Sequence, residues 1–238
     1  MPVQNESIEA MILAGGFGTR LRSVVADLPK VLAPVAGRPF ITRLLDQLSL
    51  TGITRVVLCT GYRAELVEQT LGENYGGMTL QYSQEPQPLG TGGAIRLALN
   101  KIDAPQVIVM NGDSYCDADL AEHIETHRLR AAKASLLLTE VADTSRFGRV
   151  EFDATGRVER FVEKGQSAGL GWINAGIYLF QRDLLDMIEP QRAVSLEYEI
   201  FPQLIERGEL YAAPLGRRFL DIGTPESFAA AEKFFGVC

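Results

Sequence analysis

Several residues in this sequence have the types and spacing needed to handle phosphate. "LAGGFGTRL" sets Gly15, Gly16 and Gly18 directly after an apolar run, with Arg20 two residues further on and Lys30 in the following "LPKVLAPVAGRPF". Glycines allow positive φ and let backbone N–H groups turn toward an approaching anion. Arg20 offers a forked guanidinium for phosphate oxygens, and Lys30 a compact point charge. Asp113 closes the apolar run "VIVMNGD" and Asp221 ends "FLDIGT". Two carboxylates meeting at one crevice suit Mg²⁺, a hard ion that keeps waters and bridges substrate phosphates. "GDS" and "DIGT" are equally good turn sequences, so a turn or cap role stands beside the metal reading.

A further stretch, "SQEPQPLGTGGA", runs from Ser83 to Ala94. Gly90, Gly92 and Gly93 leave room for a flat base and ribose against the backbone. Thr91 or Gly92 would start a helix whose first N–H groups are free to face a ligand. Gln84 carries an amide that can pair with a base edge. A plain strand–loop–helix junction is the alternative. Two familiar glycine loops are excluded. A dinucleotide fingerprint fails because Leu21 stands at its third glycine position, and no GxxxxGK[ST] occurs. A dinucleotide oxidoreductase is disfavoured accordingly.

These residues need a scaffold that holds them together. Short apolar runs at 9–16, 55–62, 79–86, 106–113 and 134–141 read as strands, and 40–50, 63–73, 91–100 and 117–131 read as helices by their apolar spacing. Such alternation predicts a mostly parallel sheet with helices on both faces, the α/β, three-layer Rossmann-like nucleotide-binding class. Loops after the carboxyl ends of its strands would face the ligand. After about residue 145 the pattern changes to a hairpin turning at "DATG", a strand "WINAGIYLF", helical stretches at 181–188 and 195–207, an extended "ELYAAPLGRRFLDIGT" and a closing helix at 225–235. The expectation is a single domain over 1–238, with a nucleotide-binding half at about 8–145 and a smaller half of insertions and antiparallel strands at about 146–238.

Composition narrows the partners. A net charge of −7 over 238 residues disfavours a nucleic-acid or anionic-membrane binder. Any anionic ligand must be held by locally gathered cations. Three widely spaced cysteines, without a CxxC or Cys/His pattern, fit a reducing compartment. No signal peptide or membrane-length apolar run is visible. A cytoplasmic location is expected.

The ordered set "LAGGFGTRL…LPKVLAPVAGRPFI", "QPLGTGGA", "NGDS", "VEKG", "NAGIYLF" and "LDIGTPESF" resembles the sugar-1-phosphate nucleotidylyltransferases across nearly the whole chain. Val31 replaces the second proline of that family's P-K-P. Within the family, overall similarity points to guanylyltransferases acting on D-glycero-D-manno-heptose 1-phosphate. The resemblance implies attack of a sugar 1-phosphate on the α-phosphate of an NTP, favoured as GTP, with pyrophosphate leaving. UTP, dTTP or CTP with another sugar 1-phosphate, and a non-catalytic nucleotide-sugar sensor, are the alternatives. Such a reaction needs positioning and charge neutralisation rather than a nucleophilic triad. The only histidines are His123 and His127, in one helical stretch.

By the same resemblance Arg20 and Lys30 are catalytic, and Asp113 and Asp221 hold Mg²⁺. Leu13, Ala14, Gly15, Gly16, Gly18, Thr19, Gln84, Gly90, Thr91 and Gly92 bind the nucleotide. Gly148, Glu163, Lys164 and Asn174 bind the sugar phosphate. A homodimer is the assembly the family suggests.

Overall fold

In the computed structural model, residues 7–236 other than 22, 23, 26, 27, 163 and 167 are described. The chain runs β1 (Ile8–Ala14), β2 (Pro34–Val35), β3 (Arg38–Pro39), α1 (Ile41–Ser49), β4 (Arg55–Thr60) and α2 (Ala64–Leu71). It continues through β5 (Asn74–Tyr75), β6 (Met78–Gln84), α3 (Gly90–Ala98), β7 (Gln106–Asn111), β8 (Ser114–Cys116) and α4 (Leu120–Leu129). The remainder is β9 (Ala134–Val141), β10 (Arg149–Phe152), β11 (Val158–Val162), β12 (Gly171–Gln181), α5 (Phe201–Glu206), β13 (Leu210–Gly216), β14 (Phe219–Asp221) and α6 (Pro225–Phe235).

Eight strands form the central sheet in the order β13-β9-β12-β7-β1-β4-β6-β5. β1 pairs parallel with β4 and β7, β4 with β6, and β9 with β13. Only β12 and the short β5 run against their neighbours. The expected mostly parallel, nucleotide-binding architecture is therefore present. From β1 the chain builds outward through β4 to β6, then crosses back to lay β7 on the other side of β1. That reversal opens a crevice beyond the carboxyl ends of β1 and β7, where α/β sheets bind ligands.

Both faces of the sheet are covered, which explains the nearly continuous apolar runs. Along β1, Ala10, Ile12 and Ala14 join a core with Leu44, Leu45 and Leu48 of α1, while Met11 and Leu13 join the opposite core with Ile95 and Ala98 of α3. Successive strand side chains point to opposite faces, so one strand feeds both cores. A third cluster gathers Leu21, Phe40, Leu220, Ile222 and Ala231 beneath α6. Among the described residues no helix is long and apolar enough to cross a membrane.

The late hairpin forms as expected: β10 and β11 pair antiparallel, and Asp153 Oδ1 accepts the backbone N–H groups of Thr155 and Arg157 in its turn. The helical expectation at 195–207 resolves into a π-helical turn, Leu196–Ile200, running into α5. Such turns concentrate at functional sites.

Candidate active site

The glycine loop leaves β1 at the centre of the sheet. Leu13, at the end of β1, accepts the Gly112 N–H at 2.9 Å through its carbonyl, tying the loops after β1 and β7 together. A side chain at Gly112 would run into that carbonyl. Within the glycine loop only Gly18 has positive φ, at 56°. Gly15 is required for a different reason: a methyl there would occupy the position of the Glu85 carboxylate. Gly16 has neither constraint, so of the three glycines that could take positive φ only Gly18 does. Ala14 points into the core and does not line the cavity described below.

After the loop, Thr19–Leu21 form a 3₁₀ turn closed by Leu21 N–H on the Gly18 carbonyl. Leu21 is buried and anchors the turn, while Arg20 is exposed and has no polar partner among the described residues. Pro29 leads into a second 3₁₀ turn, Lys30–Leu32, with Val31 and Leu32 buried. The Lys30 stem packs under Gly18, where an added Cβ would lie 3.1 Å from its own Cβ. Lys30 Nζ donates to Asp113 Oδ2 at 2.7 Å, with 10% of the lysine side chain exposed against 49% of the aspartate.

The ribbon β8–β14 brings the second aspartate alongside. Asp221 pairs with Ser114, and the Ile222 N–H donates to the Asp113 carbonyl at 2.9 Å. Asp221 Oδ1 accepts the Gly223 N–H at 2.8 Å and the Ser227 hydroxyl at 3.2 Å. A Cβ added at Gly223 would sit 2.7 Å from Asp221 Oδ1 and 3.7 Å from Lys30 Nζ. Both aspartates and the lysine therefore share one edge of the crevice. No group of three or more His, Cys, Asp or Glu is assembled among the described residues. Two carboxylates with free oxygen remaining suit an ion that takes its other ligands from water and phosphate.

The cavity beside them measures about 310 Å³. Leu13, Gly15, Gly16, Lys30, Gly90, Thr91 and Asp113 line it, as do Glu85, Phe17 and Asn111, which sequence reasoning did not single out. Gln84 does not line it. Gln84 is exposed at the end of β6, and the next residue, Glu85, faces inward because successive side chains of an extended segment point opposite ways. The only signal in the sequence was Glu85's place in "SQEPQPLG".

The helix after this loop also departs from expectation. Val194 O accepts the Gly92 and Gly93 N–H groups at 2.8 and 3.3 Å, and Thr91 Oγ1 accepts the Leu196 N–H at 2.8 Å. Two of the first-turn N–H groups of α3 are therefore taken by the Val194 carbonyl rather than free to face a ligand. Gly92 is buried against Val194 and lies outside the cavity lining.

At the sugar-side positions, Gly148 has φ of 80° and donates its N–H to Thr144 O at 3.0 Å. Lys164 is exposed, and the neighbouring Gly165 N–H bonds Ser145 O at 3.0 Å, joining its turn to the 144–148 loop. That loop projects Arg146 to 3.9 Å from Asp221 Oδ2. Glu163 lies outside the described residues, as does the side chain of Thr19. Asn174 sits where β12 bulges. Its Nδ2 donates to Tyr178 Oη at 2.9 Å and Glu197 Oε1 at 3.3 Å, and its Oδ1 accepts the Gly176 N–H. Asn111 Nδ2 reaches the same Tyr178 hydroxyl at 3.5 Å, leaving its buried Oδ1 without a partner among the described residues. A polar chain thus links the cavity wall to Glu197 on the π-helical turn.

A mostly parallel sheet with a glycine loop at its switch point, and a lysine flanked by two aspartates, defines a nucleotide-phosphate-handling α/β protein. The nucleotidyl transferase family profile matches residues 9–236, so the chain belongs to that family. It is 39% identical over 224 residues to mannose-1-phosphate guanylyltransferase of Mycobacterium tuberculosis, covering 93% of this chain and 62% of that protein. It is 36% identical over 226 residues to D-glycero-alpha-D-manno-heptose 1-phosphate guanylyltransferase of Aneurinibacillus thermoaerophilus, covering 95% and 97%. HddC from Yersinia pseudotuberculosis, solved in complex with GMP-PN, superposes with a TM-score of 0.83 at 34% identity, covering 95% and 99%. The chain thus spans a little under two thirds of the mannose-1-phosphate relative and nearly all of the heptose one.

Proposed function

We propose that the protein is a sugar-1-phosphate guanylyltransferase: GTP and a manno-configured sugar 1-phosphate give a GDP-sugar and pyrophosphate. An oxygen of the sugar phosphate forms the new bond to the α-phosphorus of GTP, and the bond to the β-phosphate bridging oxygen breaks as pyrophosphate leaves. The observation that carries the reading is the convergence of Lys30, Asp113 and Asp221: the first two pair with each other in the cavity lining, and the β8–β14 ribbon holds Asp221 beside them.

The residues perform three tasks. The Lys30 ammonium, fixed by its buried stem, offsets negative charge at the phosphate that is attacked. Arg20, exposed and unpaired among the described residues, engages the outer phosphates that become the leaving group. Asp113 and Asp221 would hold Mg²⁺, and the free oxygens of this part-exposed pair would supply the hard donor set that the ion prefers. When bound, Mg²⁺ neutralises the polyphosphate and acts as a Lewis acid toward it. Lys164, Gly148 and Asn174 would take the sugar phosphate, a reading supported by the 144–148 loop that brings Arg146 to Asp221.

The base and the ring configuration are common to the mannose and heptose relatives. D-glycero-D-manno-heptose 1-phosphate is the favoured acceptor, with mannose 1-phosphate as its direct competitor. Pyrophosphate release, measured for GTP, UTP, dTTP and CTP against heptose, mannose and glucose 1-phosphates, tests the assignment. Turnover with GTP and a manno-configured acceptor is expected. Turnover confined to a pyrimidine nucleotide, or none under Mg²⁺, would overturn it.

A further inference from the structure

Each of the two crevice aspartates faces a cation, and the two pairs differ in kind. Lys30 Nζ bonds Asp113 Oδ2 at 2.7 Å from a nearly buried stem. Arg146 Nη2 lies 3.9 Å from Asp221 Oδ2, beyond hydrogen-bond distance, and its side chain is 58% exposed. The other oxygen of that carboxylate, Oδ1, is held by the Gly223 N–H and the Ser227 hydroxyl. Oδ2 is thus the oxygen left to offer a ligand, and among the described residues Arg146 is the cation that faces it.

The fold holds Arg146 in that position. Its guanidinium lies over the Phe147 ring at 5.4 Å, and Phe147 meets Phe219 edge-on at 5.5 Å. Phe219 stands two residues before Asp221 on β14, so the strand that carries the aspartate also anchors the loop that carries the arginine. Asp143 closes that loop, accepting the Ser145 N–H at 3.0 Å and its hydroxyl at 2.9 Å, while Thr144 O takes the Phe147 and Gly148 N–H groups. Glu226, in the first turn of α6, adds a second anion to this corner. Hydrogen bonds from its own N–H and from Thr224 hold its carboxyl below the usual carboxylate range, and Arg146 contributes a smaller share.

Resting on the reading of Asp113 and Asp221 as magnesium ligands, we propose that Arg146 is the resident counter-ion of Asp221 and must give way before that carboxylate can hold a divalent ion. A guanidinium and a dication cannot both sit against one carboxylate oxygen, because like charges that close repel strongly. A long, exposed ion pair is worth little, so the exchange at Asp221 is cheap. The Lys30 pair is short and its stem is packed under Gly18, so that cation stays. Arg146 acts through Asp221 and is therefore a positioning residue. The consequence is a crevice that resists metal loading while it is empty of nucleotide. The negative charge of a polyphosphate attracts both cations and relieves the competition between them.

Mn²⁺, another hard cation that suits carboxylates, reports the exchange. Its binding to the intact chain, without nucleotide or sugar phosphate, is followed by electron paramagnetic resonance of the free ion, beside a thermal melt of each protein. Arg146→Ala is expected to bind Mn²⁺ about threefold to fivefold more tightly than wild type. Arg146→Lys, which retains the charge, is expected to stay close to wild type. In an Asp221→Asn background the alanine change is expected to have no effect. Equal or weaker binding by Arg146→Ala, a lysine variant as tight as the alanine one, a gain that persists without the Asp221 carboxylate, or no Mn²⁺ binding by any of these proteins would overturn the proposal. If Arg146→Ala does not fold, Arg146→Gln takes its place in each comparison. The expected Mn²⁺ shifts, found without pyrophosphate release from any nucleotide, would count against the guanylyltransferase reading and leave this one standing.

Discussion

Lys30 and Asp113 lie 2.7 Å apart, and the arrangement sets the response to each substitution. Asp113→Asn keeps the shape and a hydrogen-bond acceptor but removes the charge that the proposed function assigns to Mg²⁺. Because Asp113 is half exposed, the pair adds about 1 kcal/mol or less to stability. Turnover is expected to fall about a hundredfold or more while the melting temperature stays nearly constant. Steady-state pyrophosphate release and a thermal melt on the same sample check both halves. Wild-type kcat in that variant would remove Asp113 from the site. Arg20 makes a different case, being exposed and without a polar partner among the described residues. Arg20→Ala should weaken GTP use, read as kcat/KM, roughly tenfold to a hundredfold, and leave unfolding untouched.

At the scale of elements, α6 is built to hold Asp221. Thr224 caps the helix, accepting the Ser227 N–H at 3.2 Å, Pro225 stands in its first turn, and the Ser227 hydroxyl turns back to Asp221. Ser227→Ala loses the reciprocal half of this capping box and one of the two donors on Asp221 Oδ1. Expected are about 1 kcal/mol of lost stability and a Mg²⁺ requirement raised roughly tenfold, the size seen when a metal ligand loses its supporting hydrogen bond. A magnesium titration of turnover beside urea unfolding separates the two effects.

The helix α4 answers to pH instead. His123 and His127 are buried and share the Ser135 hydroxyl at 3.1 and 2.9 Å. Burial holds them well below the ordinary histidine range, at about 3 and about 4, with the His127 ring adding to the effect on His123 and the Arg128 guanidinium to that on His127. Both stay neutral in the folded chain, while the unfolded chain takes up protons below about pH 6.5. Their contribution is therefore present above that pH and is lost progressively as pH falls toward their folded values. Between pH 7 and pH 5 the loss should reach roughly 3–4 kcal/mol for the two together. Urea unfolding at both pH values measures it, and equal stabilities would contradict the buried neutral pair.

For the molecule as a whole, the positions of β1 and β7 decide where chemistry can occur. The two strands are adjacent and parallel, with Ile12 opposite Met110 and Leu13 opposite Asn111. Their following loops touch through Gly112 N–H and Leu13 O. Gly112→Ala would force those loops apart. A cost of about 2 kcal/mol is expected, together with loss of GTP binding, because Leu13 and Asp113 both line the cavity. Denaturant unfolding and calorimetric GTP titration report the two losses. Retention of both would show that the loops can move independently.

The sequence was sufficient for the elements that depend on local rules. Apolar runs feeding two cores identify β1, β4, β7 and β9, and the spacing of Leu44, Leu45 and Leu48 identifies the buried face of α1. Motif resemblance supplied the family. It also nominated Lys30, Asp113 and Asp221, whose residue types alone suit phosphate and metal. Only the tertiary structure decided that Asp113 and Asp221 meet, because their proximity comes from pairing β8 with β14 across more than a hundred residues. No local periodicity encodes such a pairing. Tertiary structure likewise turned Glu85 inward instead of Gln84 and placed the Val194 carbonyl on the first turn of α3. Side-chain direction at a strand end, and the partner of a helix N-terminus, depend on what packs there, and that is fixed only when distant segments come together.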